Sequence, residues 1–545
     1  MTRFVAFLLL AALVAGCVGT GPETTSPPPA FERDLRHGSG FNYTAYDANG
    51  LPVPFPLCLA ACDFNMTPDE GRQGNEVTIA VNPKDPRNVV GGAKDYYPPD
   101  AGDCVWDGVY VTHDGGRTYA DRSFDGSPWR ALSDPTGFTP NYASTFWCTT
   151  DPVAYFDVNG NLYYLLMAYQ TDPVTGSKTG EDELPDGALN DWAFNRATQI
   201  VAVSDDGGDT FHTFTPVLEG SYPVSFHDKG WIAASADGTI HVMWLASLAP
   251  GNVYFRSTDG GKTYADPEVL ATLVGTAGQG SFLDVGTGAE VYAMWTSGSD
   301  VHMRRSTDTG ATWDEDRAIL QVHAAQHPGL SPRDRVTGFP AMATDRNPAS
   351  PFADAIYVVW HDACLDDWGD GCASGDGSGV FVAASFDKGT TWSDPVLVSE
   401  PDPHWRLMPA ISVSPGGVLD VSWMEATHDM VPANGDLPEH ARIAQMYSYS
   451  LDGGATWSVP VDVRAADDGG WDPALSHHQN GMIFLGDYND IDSSWRAAHP
   501  VWPDTRDGAA VKVYTATMER PWFADGWEAD ARADAEAAIA KLPLA

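Results

Sequence analysis

The chain has 545 residues, of which 74 are Asp or Glu and 31 are Lys or Arg, for a net charge of −43. A surface this acidic, with the charge spread along the chain, excludes nucleic acid and anionic membrane surfaces as partners. The length admits one long repeat domain or several average ones.

In chain order, Arg3 precedes an apolar run, Phe4 to Val14, that leads into Leu13-Val-Ala-Gly-Cys17. The run is too short for a comfortable transmembrane helix. Residues 18–30 are small, polar and Pro-rich and have no means of building a core. Residues 31–70 show no clear period and carry two Asn-x-Thr triplets, at Asn42 and Asn65. Besides Cys17, six cysteines remain: Cys58, Cys62, Cys104, Cys148, Cys364 and Cys372. An even number in an exported chain favours disulfides, and six allow fifteen pairings. Cys364 with Cys372 is the preferred pair, closing one loop.

From Asn75 the pattern predicts a four-strand unit: Val77–Val81, Asn88–Lys94, Gly108–Val111 and Thr118–Ser123. Apolar runs crossing short Asn-Gly, Asp-Gly or Gly-Gly turns repeat this grammar. First strands are expected at 151–157, 230–234, 282–285, 340–343 and 409–413, and a last unit at 482–487, 498–504 and 510–517. A phrase, Ser/Thr-x-Asp-x-Gly-x-Thr-aromatic, joins the third strand to the fourth in six of these units. Its aspartates are Asp114, Asp206, Asp259, Asp308, Asp387 and Asp452. The physical reading is a hairpin loop whose carboxylate accepts hydrogen bonds from loop N–H groups and the Thr hydroxyl.

Short strands at recurring spacing predict an all-β propeller of seven four-stranded blades, with six as the alternative. The last unit lacks its own fourth strand, and segment 39–74 is available to supply one and lock the ring. The expected division is 1–16 signal peptide, 17–38 tether, 39–74 N-terminal segment, 75–520 propeller and 521–545 tail with a short helix.

In a four-strand meander, the first–second and third–fourth turns share one face, and here they are short. The other face collects the long connections, where binding sites concentrate. First-strand starts bring Glu76, Asp151, Asp228, Lys229, Arg406, Asp487 and Tyr488 to that face, and second-strand ends bring His361, Asp362, Glu425, Asp504 and Arg506. Paired carboxylates serve glycoside hydrolysis, one as acid and one as base or nucleophile. They equally bind Ca²⁺, for which the acidic loop 364–372 is a further candidate. Trp147, Trp192, Trp368, Trp405 and Trp471, in or beside the long loops, are candidate platforms for sugar rings.

The six octets resemble the Asp-box, or BNR repeat, of sialidases and their relatives, over roughly residues 75–517. In that family the repeat is structural and lies opposite the active site. Phrases such as Asn75-Glu-Val-Thr-Ile-Ala-Val-Asn-Pro83, His227-Asp-Lys-Gly-Trp-Ile232 and Leu485-Gly-Asp-Tyr488 resemble secreted members of this set. The resemblance implies a sialidase-like propeller acting on or binding glycans. Its catalytic candidates are Glu76, Asp228, Glu425, Asp487 and Tyr488. Asp151, Lys229, His361, Asp362, Arg406, Arg506 and Trp405 are ligand-binding candidates. The family's Arg-Ile-Pro motif is absent, since Asn75-Glu76-Val77 stands in its place. A glutamate there repels a carboxylated sugar, so whether the chain is an enzyme stays open. The alternative is a non-catalytic glycan- or protein-binding scaffold. The N-terminus resembles a lipoprotein signal, implying lipid on Cys17 and an exported, membrane-anchored cell-surface protein. No cofactor is required by either reading.

Overall fold

In a computed structural model, seven four-stranded antiparallel sheets follow one another as blades of a β-propeller. The structure describes residues 63–67, 72–96, 105–123, 148–169, 197–218, 227–246, 251–322, 338–362, 378–402, 404–426, 442–464, 470–476, 478–479, 482–508 and 511–519. It also describes three short strands, Phe31–Glu32, Tyr43–Tyr46 and Pro52–Phe55, that pair only with one another. Among the described residues the one helical element is the turn Pro473–Leu475. The tail helix expected after 521 lies outside them.

Blade 1 runs Gly74–Val81, Val89–Asp95, Trp106–Thr112 and Ala120–Asp121. The inner strands of blades 2 to 6 are Cys148–Phe156, His227–Ala234, Phe282–Val285, Ala341–Thr344 and Trp405–Val413. Each inner strand packs against the next, and that of blade 7 packs against blade 1. A blade alone leaves apolar faces exposed, so stability requires this stacking. The second strands place Trp244, Trp295, Trp360, Trp423 and Trp502 between blades, all fully buried.

Blade 7 departs from the expected boundaries. Its inner strand is Asp490–Ser493, followed by Ala497–Asp504 and Lys512–Ala516. Met482–Ile483 instead forms a small hairpin with His478–Gln479. Strand geometry is interrupted at Gly486, where φ is +98°. A Cβ there would sit 2.8 Å from the Glu76 backbone nitrogen, so the chain crosses blade 1 where only glycine fits. The fourth strand of blade 7 is Asp63–Asn65, with Tyr514 opposite Asn65 and Ala516 opposite Asp63. The ring therefore closes with chain from before blade 1. Asn65 serves this closure: its carboxamide accepts from the Thr67 backbone N–H at 2.9 Å and donates to Asp507 at 2.9 Å.

Polar links stitch the inner strands together. The Ala154 N–H of blade 2 donates to Thr78 Oγ1 of blade 1 at 3.0 Å, and Thr78 donates to Asp490 Oδ2 of blade 7 at 3.0 Å. The Ile79 N–H donates to the same carboxylate oxygen at 2.9 Å.

All six octets make the same turn. Thr118 Oγ1 donates to Asp114 Oδ2 at 2.7 Å, and the equivalent bond spans 2.6–2.7 Å in the other five. Bonds from the Thr312 hydroxyl and backbone hold the Asp308 carboxyl down at about 2, below the usual carboxylate range. Where the first glycine of the octet is replaced, Thr309 and Lys388 take its left-handed backbone, with φ of 56° and 60°.

Candidate functional site

On the face opposite the octet turns, a β-bulge recurs near the start of the inner strands. The register slips between Asn75 and Val77 in blade 1, between Asp228 and Trp231 in blade 3, and between Leu407 and Ala410 in blade 6. Blade 2 slips at the same place, opposite Leu165 and Met167. The bulged residues Glu76, Asp151, Lys229 and Met408 have φ of 50°, 59°, 51° and 48°. Left-handed backbone at a non-glycine residue costs of order 1–3 kcal/mol. Bulges re-aim side chains, and here three successive blades aim a charged one at the same point.

These side chains meet. Lys229 Nζ lies 2.8 Å from Glu76 Oε1, 3.0 Å from Asp487 Oδ2 and 3.9 Å from Asp151 Oδ2. The same ammonium sits 4.3 Å from the centre of the Tyr488 ring. Lys94 Nζ approaches Glu76 Oε2 at 3.2 Å from the second strand of blade 1. All four charged members of the Lys229 group are buried.

The electrostatics separate two neighbouring carboxyls. Asp228 is raised to about 7 by burial and then by the charges of Asp151, Asp487 and Glu76, which outweigh Lys229. Asp151 goes the other way, to about 2. Burial opposes its ionisation, but Lys229 and Lys94 outweigh burial, helped by the Thr150 hydroxyl at 2.8 Å. Lys229 is held protonated because its carboxylate neighbours outweigh its burial. The Tyr488 phenol is pushed far up by burial and the same carboxylates.

Two members of the site were missed from sequence, Lys94 and Asp107. Asp107 is buried, makes no hydrogen bond through either carboxylate oxygen among the described residues, and is pushed well up by burial and by Asp151. Each left a signal. Lys94 is one of only eight lysines in the chain. Asp107 shares an inward strand face with Val109 and Val111, where an acid is out of place.

Glu425 and Arg406 form a separate network in blade 6. Arg406 Nε donates to Glu425 Oε2 at 3.0 Å, His404 Nδ1 lies 2.9 Å from Oε1, and Trp423 Nε1 donates at 3.2 Å. Burial opposes ionisation of Glu425, but His404 and Arg406 outweigh it and bring the carboxyl to about 2. Blade 7 repeats the device: Arg506 Nε and Trp502 Nε1 donate to Asp504 Oδ2 at 2.9 and 3.1 Å, and Arg506 also pairs with Asp63 of the closing strand. Asp362 of blade 5, likewise two residues after a buried tryptophan, is fully buried, and burial lowers His361 to about 4.

Trp405 and Trp471 are packed in the apolar core with Trp502, so neither is a sugar platform: their ring faces are covered by blades 6 and 7. Trp147, Trp192 and Trp368 lie outside the described residues. So do Cys17, Cys58, Cys62, Cys104, Cys364 and Cys372, and Cys148 is described only as a strand residue. The acidic loop 364–372 lies outside them as well. Among the described residues no group of three or more His, Cys, Asp or Glu side chains is arranged to hold a metal ion.

No family model matches the chain, and no curated protein matches it. Among solved structures, the Hadza microbial sialidase Hz136 is 13% identical with a TM-score of 0.42, over 71% of this chain and 72% of that one. A leech intramolecular trans-sialidase is 11% identical with a TM-score of 0.42, over 72% of this chain and 70% of that one. An α-L-arabinofuranosidase from Fusarium graminearum is 12% identical with a TM-score of 0.39, over 69% of this chain and 93% of that one. Likeness at this level says nothing of what this chain acts on.

Proposed function

We propose that the protein acts on neutral glycans at the channel mouth on the long-loop face, as a glycoside hydrolase. One observation carries this reading: three strained, charged bulge residues of successive blades, Glu76, Asp151 and Lys229, converge beside Asp487 and Tyr488, and their charges act on Asp228. Strain of this kind concentrates at functional sites, and carboxyls whose environments push them apart divide into acid and base roles. Asp228, protonated up to about pH 7, gives its proton to the leaving oxygen as the glycosidic C–O bond breaks, and water adds to the anomeric carbon and returns a proton to Asp228. Asp151, ionised and screened by Lys229, stabilises the positive charge that develops on the sugar ring. Glu76 and Asp487 hold Lys229 in place. The excess of carboxylates disfavours anionic sugars, sialic acid included.

A second reading follows from the complete pairing of Lys229. An ammonium enclosed by three carboxylates is also an internal lock, and a propeller locked in this way serves as a glycan- or protein-binding scaffold. In either case we place the mature chain at the cell surface, anchored through lipid on Cys17, with Ca²⁺ in the loop 364–372 as an optional ligand. Mass spectrometry of the N-terminal peptide tests the anchor.

The deciding experiment is a panel of neutral aryl glycosides and one sialoside, at low and high salt and with and without Ca²⁺. Wild type is compared with Asp228→Asn, Glu76→Gln and Asp487→Asn. Turnover of a neutral glycoside that is lost in Asp228→Asn supports the hydrolase. A folded chain without turnover sinks it, and glycan-array binding then decides for the scaffold.

A further inference from the structure

The channel holds a second space, below the carboxylate site. Trp231 of blade 3 and Phe282 of blade 4 stack with ring centroids 3.8 Å apart and planes 26° from parallel. On the long-loop side of this pair, a throat of about 30 Å³ lies against Lys229 and Tyr488. On the other side, a cavity of about 210 Å³ extends to the turns at Asn82, Asn347 and Pro415, on the octet face. Trp231 and Phe282 line both spaces, so the stacked rings part them. A cavity of about 150 Å³ already admits a benzene ring.

The walls of the lower cavity combine aromatic faces with more carboxyl groups than cations. Tyr155, Trp231 and Phe282 supply the rings. Asp284, Asp490 and Asp492 line it together with one guanidinium, Arg346. That guanidinium is already engaged: it bonds the Tyr155 phenol, lies 5.1 Å from its ring centre and is 3.9 Å from Asp284 Oδ1. The carboxylates are fixed in advance. Asp490 accepts from the Ile79 N–H at 2.9 Å, and Asp492 accepts from the Val81 N–H at 2.8 Å and from Ser412 Oγ at 3.2 Å. Burial pushes both carboxyls upward, and the charge of Asp492 adds to this at Asp490, so a cation entering here favours their ionised forms.

We propose that this octet-face cavity binds a small organic cation, an ammonium on a body of about ring size. The charge lies toward Asp490 and Asp492 and the body lies against Trp231 and Phe282. Aromatic faces attract such cations by their quadrupole, most strongly where water is excluded. The site is independent of the glycan site, since the stacked pair stands between them.

Isothermal titration of the full chain with benzyltrimethylammonium, benzylammonium, benzyl alcohol and benzoate tests this. Both cations are expected to bind at least about tenfold more tightly than benzyl alcohol, with benzoate weakest. Asp492→Asn should weaken the cations about tenfold and leave benzyl alcohol unchanged, whereas Ala343→Leu, which fills the cavity wall, should weaken every ligand that binds. Binding of benzoate as tight as benzylammonium overturns the proposal, as does no binding by either cation. Undiminished cation binding by a folded Ala343→Leu chain places the ligand elsewhere and also overturns it. The wild-type ligand series decides the charge preference even if Asp492→Asn does not fold.

Discussion

Lys229 Nζ lies 2.8 Å from Glu76 Oε1, although the two residues are 153 positions apart and belong to different blades. Both have left-handed backbone. The contact exists because each bulge turns its residue out of the sheet, and only the inner strand of blade 2 lies between the two bulges.

Removing the cation should be costly. Lys229→Met leaves Glu76, Asp151 and Asp487 without their shared partner. Breaking a buried pair from one side costs about 3–5 kcal/mol. Urea denaturation at pH 7 should show this loss, and the deficit should shrink at pH 4 and below as the stranded carboxyls bind protons. An unchanged midpoint at pH 7 would show that the cluster is not coupled to folding.

Asp228 should set an alkaline limit on turnover. As a proton donor it works below about pH 7 and fails above. Its effect on stability has the matching sign. The carboxyl is raised from 3.8 to about 7 in the fold, so the folded chain holds the proton more tightly and stability falls as pH rises through that window. Asp228→Asn should lose activity, flatten that slope and be the more stable protein above pH 7. A pH–rate profile and melting curves at pH 4 and pH 8 check both arms.

Asp107 should be replaceable at a gain. Its carboxylate oxygens are buried without hydrogen bonds among the described residues, and burial holds the carboxyl protonated well above its usual range. Unfolding at neutral pH releases that proton to water and is favoured by it. Asp107→Asn removes the ionisable group and should stabilise by about 1–2 kcal/mol at pH 7, less at pH 4. Destabilisation at pH 7 would mean that the acid has an essential partner.

The octet turns offer a paired test. Thr309 sits at φ 56° where four of the octets have glycine. Thr309→Gly should stabilise by about 1 kcal/mol, since the left-handed conformation costs about that much for a side-chain-bearing residue. Its neighbour behaves oppositely. A Cβ on Gly310 would lie 1.8 Å from Tyr254 Oη, so Gly310→Ala should lower the melting temperature. Equal effects of the two substitutions would refute this account of the turn.

Local pattern was enough for much of the fold. The octets could be read because their bonds close within eight residues, as from Asp114 to Thr118. Inner strands such as Phe282–Val285 followed from apolar runs bounded by turn residues. The approach of Glu76, Asp151, Asp228, Lys229, Asp487 and Tyr488 to one face followed from the phase of the meander. What pairs with what did not follow. Glu425 was grouped with the channel residues, yet it is bound by Arg406 of the adjacent strand, because the indole two residues before it fixes its direction. Blade 7 starts at Asp490 rather than Met482, because Gly486 must pass over Glu76 with no room for a Cβ. The bulges, the acid at Asp107 and the Trp231–Phe282 stack depend on contacts between blades. Sequence alone determined the repeat and its turns, whose energies are local. Tertiary structure decided the charge partners and the two spaces of the channel, whose energies arise only when the ring closes.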